Sequence, residues 1–96
     1  MAKIQLEKLK KNTKILMDTE DTVFELTVTG PKSKTVSVHG GTVFIRPTKA
    51  IIEEEIEIGK RVKFKYKDKY KWHSVMTSTI ISAKIYASDG SWSYEI

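Results

Sequence analysis

The chain has 96 residues, 40% hydrophobic and 30% charged, with a net charge of +5 and no cysteine, which describes one small folded domain. Lacking cysteine, it has no disulfide, no thiolate catalysis and none of the usual cysteine-based structural zinc schemes. No apolar run is long enough to span a bilayer, and the opening MAKIQLEKLKKN is basic without an apolar h-region. The expectation is a cytoplasmic protein with no signal peptide and no membrane partner.

In chain order, residues 1–12 fit neither period cleanly. Ile4 and Leu6 read as strand, Leu6 and Leu9 as one helical turn. This segment is expected to be a short strand or arm joining a sheet, or a short helix capping one end of it. Lys8, Lys10, Lys11 and Lys14 make it basic, which on its own describes a solvated terminus.

From Lys14 onward the pattern is β. Residues 14–19 form a first strand, followed by the polar turn Asp18-Thr19-Glu20-Asp21. Residues 22–29 (TVFELTVT) alternate, with Phe24, Leu26 and Val28 directed to the core. Gly30-Pro31-Lys32-Ser33 is a turn, and residues 35–39 follow with Val36 and Val38 inward. Gly40-Gly41 permits a hairpin reversal. Residues 42–46 return with Val43 and Ile45 on one face and Phe44 on the other, and Pro47 is expected to end the strand or mark an edge.

Residues 50–58 (AIIEEEIEI) read as a strand or an irregular connector. Glu53, Glu54, Glu55 and Glu57 have the composition of a metal site, but successive strand residues point to opposite faces and cannot converge on one ion. A solvated acidic edge, neutralising part of a basic neighbour, accounts for them.

Residues 59–72 (GKRVKFKYKDKYKW) alternate almost without a break. Val62, Phe64 and Tyr66 take one side, and Arg61, Lys63, Lys65 and Lys67 the other. With Lys67-Asp68-Lys69 as a tight loop, Tyr70 and Trp72 resume the apolar side, while Lys69 and Lys71 resume the basic one. Asp68 is the single acid between Lys60 and Lys71, so the basic surplus of the whole chain resides in this hairpin.

The last third continues the β pattern. Ile81, Ala83, Ile85 and Ala87 share one parity, Asp89-Gly90 signals a type I′ hairpin, and Trp92, Tyr94 and Ile96 alternate behind it. The expected core is Phe24, Leu26, Val28, Val36, Val38, Val62, Phe64, Tyr66, Ile81, Ile85, Trp92 and Tyr94.

Val62-Lys63-Phe64-Lys65-Tyr66-Lys67 resembles the first strand of the small basic chromatin proteins of Sulfolobus, which fold as SH3-like barrels and bind the DNA minor groove. The likeness covers those six residues, and no DNA-contacting position is carried over from it. Ile58-Gly59-Lys60-Arg61-Val62-Lys63-Phe64 is similar to the opening of SH3-like and Tudor-like modules. Thr77-Ser78-Thr79-Ile80-Ile81-Ser82 resembles a strand of small uncharacterised bacterial barrel modules. The last two likenesses, which cover about the C-terminal forty residues, imply a fold and no activity. Together with the alternation they give an all-β expectation: a single domain, residues 1–96, forming a small antiparallel β-barrel or meander. Residues 14–48 would be a β-meander and residues 59–96 an SH3-like segment.

Catalytic chemistry is not indicated. His39 and His73 are the only histidines, and neither has a second His or an acid at metal-ligand spacing. No phosphate loop or nucleophile elbow occurs. The sequence therefore supports a non-catalytic module without cofactor or metal, for which two partners are weighed. One is nucleic acid, its phosphates bound without sequence specificity by Arg61, Lys63, Lys65, Lys67, Lys69 and Lys71. The other is a second protein chain docking on a strand edge or aromatic patch. Net basicity favours the first. The parity, which sets the aromatic residues opposite the lysines, and the near-neutral remainder of the chain favour the second. Nucleic acid is the reading taken, with a protein-interaction module as the alternative.

Overall fold

The computed structural model describes residues 3–96; Met1 and Ala2, part of the basic arm read from the sequence, lie outside them. Ten strands follow one another in chain order: β1 (Lys3–Ile4), β2 (Lys14–Thr19), β3 (Val23–Gly30), β4 (Thr35–Gly40), β5 (Phe44–Ile51), β6 (Ile56–Glu57), β7 (Lys63–Lys67), β8 (Trp72–Met76), β9 (Ile80–Tyr86) and β10 (Trp92–Glu95). A single 3-10 turn, Leu6–Lys8, follows β1. The basic arm holds both a strand and a short helical turn that buries Leu6, but its two-residue strand pairs with β6 in a separate small sheet and does not join the main one.

Eight strands make one antiparallel sheet in the order β10-β9-β2-β3-β4-β5-β7-β8. The centre, β2 to β5, is the meander expected over that stretch. Chain connectivity makes the sheet curl. Strands β9 and β8 stand six steps apart in the order, about 29 Å on a flat sheet with strands about 4.8 Å apart. Three residues, Thr77, Ser78 and Thr79, join them, and four Cα steps reach only about 14 Å. The sheet must therefore wrap, and the segment before β7 bridges the gap. Gly59 donates to the Ile80 carbonyl, Ile80 to Lys60, and Thr77 to Val62, at 2.8–2.9 Å. The strands do not close into a barrel: β8 and β10 remain the two edges.

Inside the curl lies one core. Phe24, Leu26, Val28, Val36, Val38, Val62, Phe64 and Ile85 are buried as the alternation requires, and Tyr66 is partly buried against them. Ile4, Leu6, Ile15, Met17, Phe44, Ile52, Ile56 and Ile80, with Ala50 and Ala83, pack into the same core. Phe24 and Phe44 both pack on Phe64, with ring centroids 5.5 and 5.4 Å apart.

Three expected core residues are outside. Against the consecutive pair Asp18 and Thr19 of β2, β9 offers Ser82 and Ile80, so Ile81 is the extra residue of a β-bulge. The bulge turns Ile80 inward and leaves Ile81 53% exposed. Trp92 lies opposite Tyr86 on the outer side of the sheet, and Tyr94, opposite Ile85, stands on an edge strand beside a depression that it lines with Lys3, Gln5, Lys8 and Leu9. Both aromatics are exposed as a result. The 88–90 reversal also differs from a two-residue type I′ turn. Ala87 donates to the Ser91 carbonyl at 2.9 Å, so three residues close the loop, with Gly90 at φ 90°.

Pro47 does not end its strand. Between the pairs Val38–Thr48 and Gly40–Phe44 the register slips, so Ile45, Arg46 and Pro47 together oppose His39. A bulge is where a strand tolerates a residue without an N–H, and β5 runs on through Lys49 to Ile51.

Candidate nucleic-acid interface

The β7–β8 hairpin is built outward from the core through its aromatic rings. Phe64 is buried at the centre, and Phe44 meets Phe64 and then Tyr66, whose ring centroid is 5.3 Å away. Tyr66 stacks on the imidazole of His73 at 5.2 Å and an interplanar angle of 21°. His73 in turn hydrogen-bonds Asp68 through Nε2. Each ring restrains the next, so the hairpin is held from base to tip.

Asp68 shapes the tip. Its Oδ1 accepts the backbone N–H groups of Tyr70 at 2.9 Å and Lys71 at 3.0 Å, an Asx-type turn. Those two bonds, with the imidazole contact of His73, hold its carboxyl down at about 2. Asp68 N–H donates to the Lys71 carbonyl at 3.1 Å, so the loop proper is Lys69 and Tyr70. That two-residue loop decides which face each side chain takes. The ladder pairs Lys67 with Trp72, Lys65 with Ser74 and Lys63 with Met76. Directly opposed residues share a face, so the odd positions of β7 lie with the even positions of β8.

This corrects the sequence expectation for Trp72 and Tyr70. A three-residue loop would have kept Trp72 on the apolar side. An alternation that runs unbroken through a two-residue loop changes side instead. Trp72 is 58% exposed among the lysines, and Tyr70 projects from the tip at 89%.

Strand β5 widens the face. Ile51 pairs with Lys65, and Lys49 lies two residues back on the same side. Together with Ser33, Thr35, Lys67 and Trp72 they line a shallow groove of about 440 Å³. Neither Lys49 nor the groove was singled out in the sequence, because Pro47 masked the continuation of β5.

The six basic residues named from the sequence are not equivalent. Lys63, Lys65 and Lys67 share the outer face, and Lys65 is engaged by Glu53 at 2.6 Å. The bond from Lys65 keeps the Glu53 carboxyl below its usual range. Lys63 is half-buried, and its backbone N–H donates to Glu54 at 3.0 Å. Arg61 lies before β7, where its Nε–H is bonded to the Thr77 carbonyl at 2.7 Å. Lys69 is in the loop, and Lys71 pairs with Asp68 on the other side of the ribbon. The acidic segment diverges, with Glu53 on Lys65, Glu54 on Lys63 and Glu55 on Lys3.

Among the described residues no group of three or more His, Asp or Glu could hold a metal ion, and no helix is long and apolar enough to cross a membrane. No protein-family model, curated protein or solved structure matches the chain.

Proposed function

We propose that this chain is a non-catalytic, cytoplasmic nucleic-acid-binding module that uses the outer face of the β7–β8 hairpin without sequence specificity. The observation that carries the reading is Trp72 standing on the lysine face, directly across from Lys67 and beside the Lys49 groove. Lysines supply attraction to phosphates and gain from counterion release. An exposed indole supplies a surface on which a base stacks, and that contact does not depend on base identity. Anchoring of the hairpin through Tyr66 and His73 means that little ordering remains to be done on binding.

Titration of labelled oligonucleotides at two salt concentrations tests the reading. Micromolar binding at low salt, weakening steeply with salt and lost when Lys67 and Trp72 are changed to Gln and Ala, is the expected result. No binding by the wild-type chain at low salt would sink it.

A second reading, docking of another protein chain, is favoured by β10. This edge strand carries Trp92 at 61% and Tyr94 at 41% exposure and, among the described residues, is paired on one side only, the kind of strand on which another chain adds. A discrete complex that Trp92→Ala disrupts, with little salt dependence, would support it over the first.

A further inference from the structure

We infer that the ligand of the hairpin face is single-stranded, and that it continues from Trp72 across Ser33 onto a second basic depression formed by the N-terminal arm and the β3–β4 turn. This rests on the reading of the hairpin face given above.

The second depression, of about 580 Å³, is lined by Lys10, Lys11, Lys32 and Ser33 together with Leu9, Pro31 and the single carboxylate Glu7. Ser33 also lines the Lys49–Trp72 groove. The two depressions therefore meet at Ser33 and offer one path from the hairpin to the arm. Along it run Lys67, Lys65, Lys49, Lys32, Lys10 and Lys11, against two carboxylates, Glu53 and Glu7. Lys10, Lys11 and Lys32 are all exposed. Strand β4 is separated from β8 by three interstrand steps, about 14 Å, a path that a few nucleotides cover. The N-terminal lysines, which the sequence alone left as a solvated terminus, gain a role from this neighbourhood.

The shape of the surface selects the strand state. Duplex readers present a helix or ribbon that enters a groove. Here the cations line two shallow depressions, one on the sheet between β5 and β8, where the indole stands, and one between the arm and the β3–β4 turn. In a duplex each base face is covered by its neighbours, so such an indole finds a base to stack on only in an unpaired strand.

The test uses the Trp92→Phe chain, in which Trp72 is the only tryptophan, titrated with oligothymidylates of about 4 and about 12 nucleotides and with a duplex of the longer length. The expected result is quenching of Trp72 by both single strands, tighter binding of the longer one, and duplex binding weaker by about tenfold or more. Changing Lys10, Lys11 and Lys32 together to Gln should leave the short oligonucleotide unaffected. It should remove most of the advantage of the long one and lower its salt slope by about 2, at about 0.7 per phosphate. A length advantage that survives the triple change reflects only extra registers on the strand and overturns the extended path. Duplex binding as tight as single-strand binding, without quenching, overturns the strand assignment. Absence of binding by every oligonucleotide, short ones included, is the distinct outcome in which the hairpin reading itself fails and this inference with it.

Discussion

Lys67 and Trp72 oppose each other directly across the β7–β8 ladder, so the one indole of the hairpin and its most exposed strand lysine present one combined surface. Removing the indole therefore separates stacking from folding. Trp72 is more than half exposed, and Trp72→Ala should change the melting temperature little. Stacking contributes about 1–3 kcal/mol per base, so single-strand affinity should fall by about 5- to 150-fold. Trp72→Phe should retain most of it. Equal affinity of wild type and Trp72→Ala would remove the stacking role.

The lysines of the face should not contribute equally. Lys65 sits 2.6 Å from Glu53, and a phosphate must compete with that carboxylate, whereas Lys67 is exposed and has no acid within ion-pair distance among the described residues. Because the Lys65 charge is already engaged by Glu53, Lys67→Gln should weaken binding more than Lys65→Gln. Glu53→Gln, by freeing Lys65, should strengthen binding by up to about fivefold. Salt titrations of the three single variants check the ranking, and weaker binding by Glu53→Gln would contradict it.

Phe64 and Ile81 separate what the sequence makes legible from what it hides. Phe64 is fully buried between Phe24 and Phe44, so Phe64→Ala should cost about 3–5 kcal/mol. Ile81 has the same apolar character but is bulged outward, and Ile81→Ala should fall within about 0.5 kcal/mol. Urea denaturation of both variants checks the contrast.

Period-two alternation is a local property, which is why the inward sets of β3 and β4 and the Phe64 face of β7 could be read directly. Relations between strands are not local. A one-residue bulge at Ile81, or a loop of two residues in place of three at the hairpin tip, exchanges the faces of everything beyond it without altering the composition. The irregularity at residues 45–47 shifts the register of β5 without changing its inward parity. The lysines of the candidate site were legible by charge alone. The position of Trp72 among them depended on one residue of loop length, and Lys49, Lys10, Lys11 and Lys32 join them only through the packing of elements distant in sequence.

Glycines 40 and 90 both hold positive φ, but only one is also enclosed. A Cβ on Gly40, at φ 143°, would lie 2.5 Å from the Val23 carbonyl oxygen, which belongs to a paired strand and cannot easily move. At Gly90, with φ 90°, nothing lies within 4 Å. Gly90→Ala therefore meets backbone strain alone, about 1–2 kcal/mol. Gly40→Ala meets strain and collision together and should be the more destabilising of the two. Thermal melts that rank them in the reverse order would tell against the β4–β5 turn geometry.

Asp68 gives the hairpin tip a dependence on acid. Its folded carboxyl titrates at about 2, below the ordinary 3.8, because the Tyr70 and Lys71 amides and the His73 imidazole bond to its charged form. A pKa depressed by folding contributes stability that is complete above the unfolded value and is lost as pH falls through the folded one. The contribution is therefore whole at neutral pH and disappears between about 4 and about 2. An Asp68→Asn chain lacks the titrating charge. Its melting temperature should lie below that of wild type at neutral pH, and the gap should close as the pH is lowered through that range. A gap that stays constant, or widens in acid, would mean that the charge of Asp68 does not hold the turn. In that case the face on which Trp72 meets Lys67 would be fixed by the Tyr66–His73 stack alone.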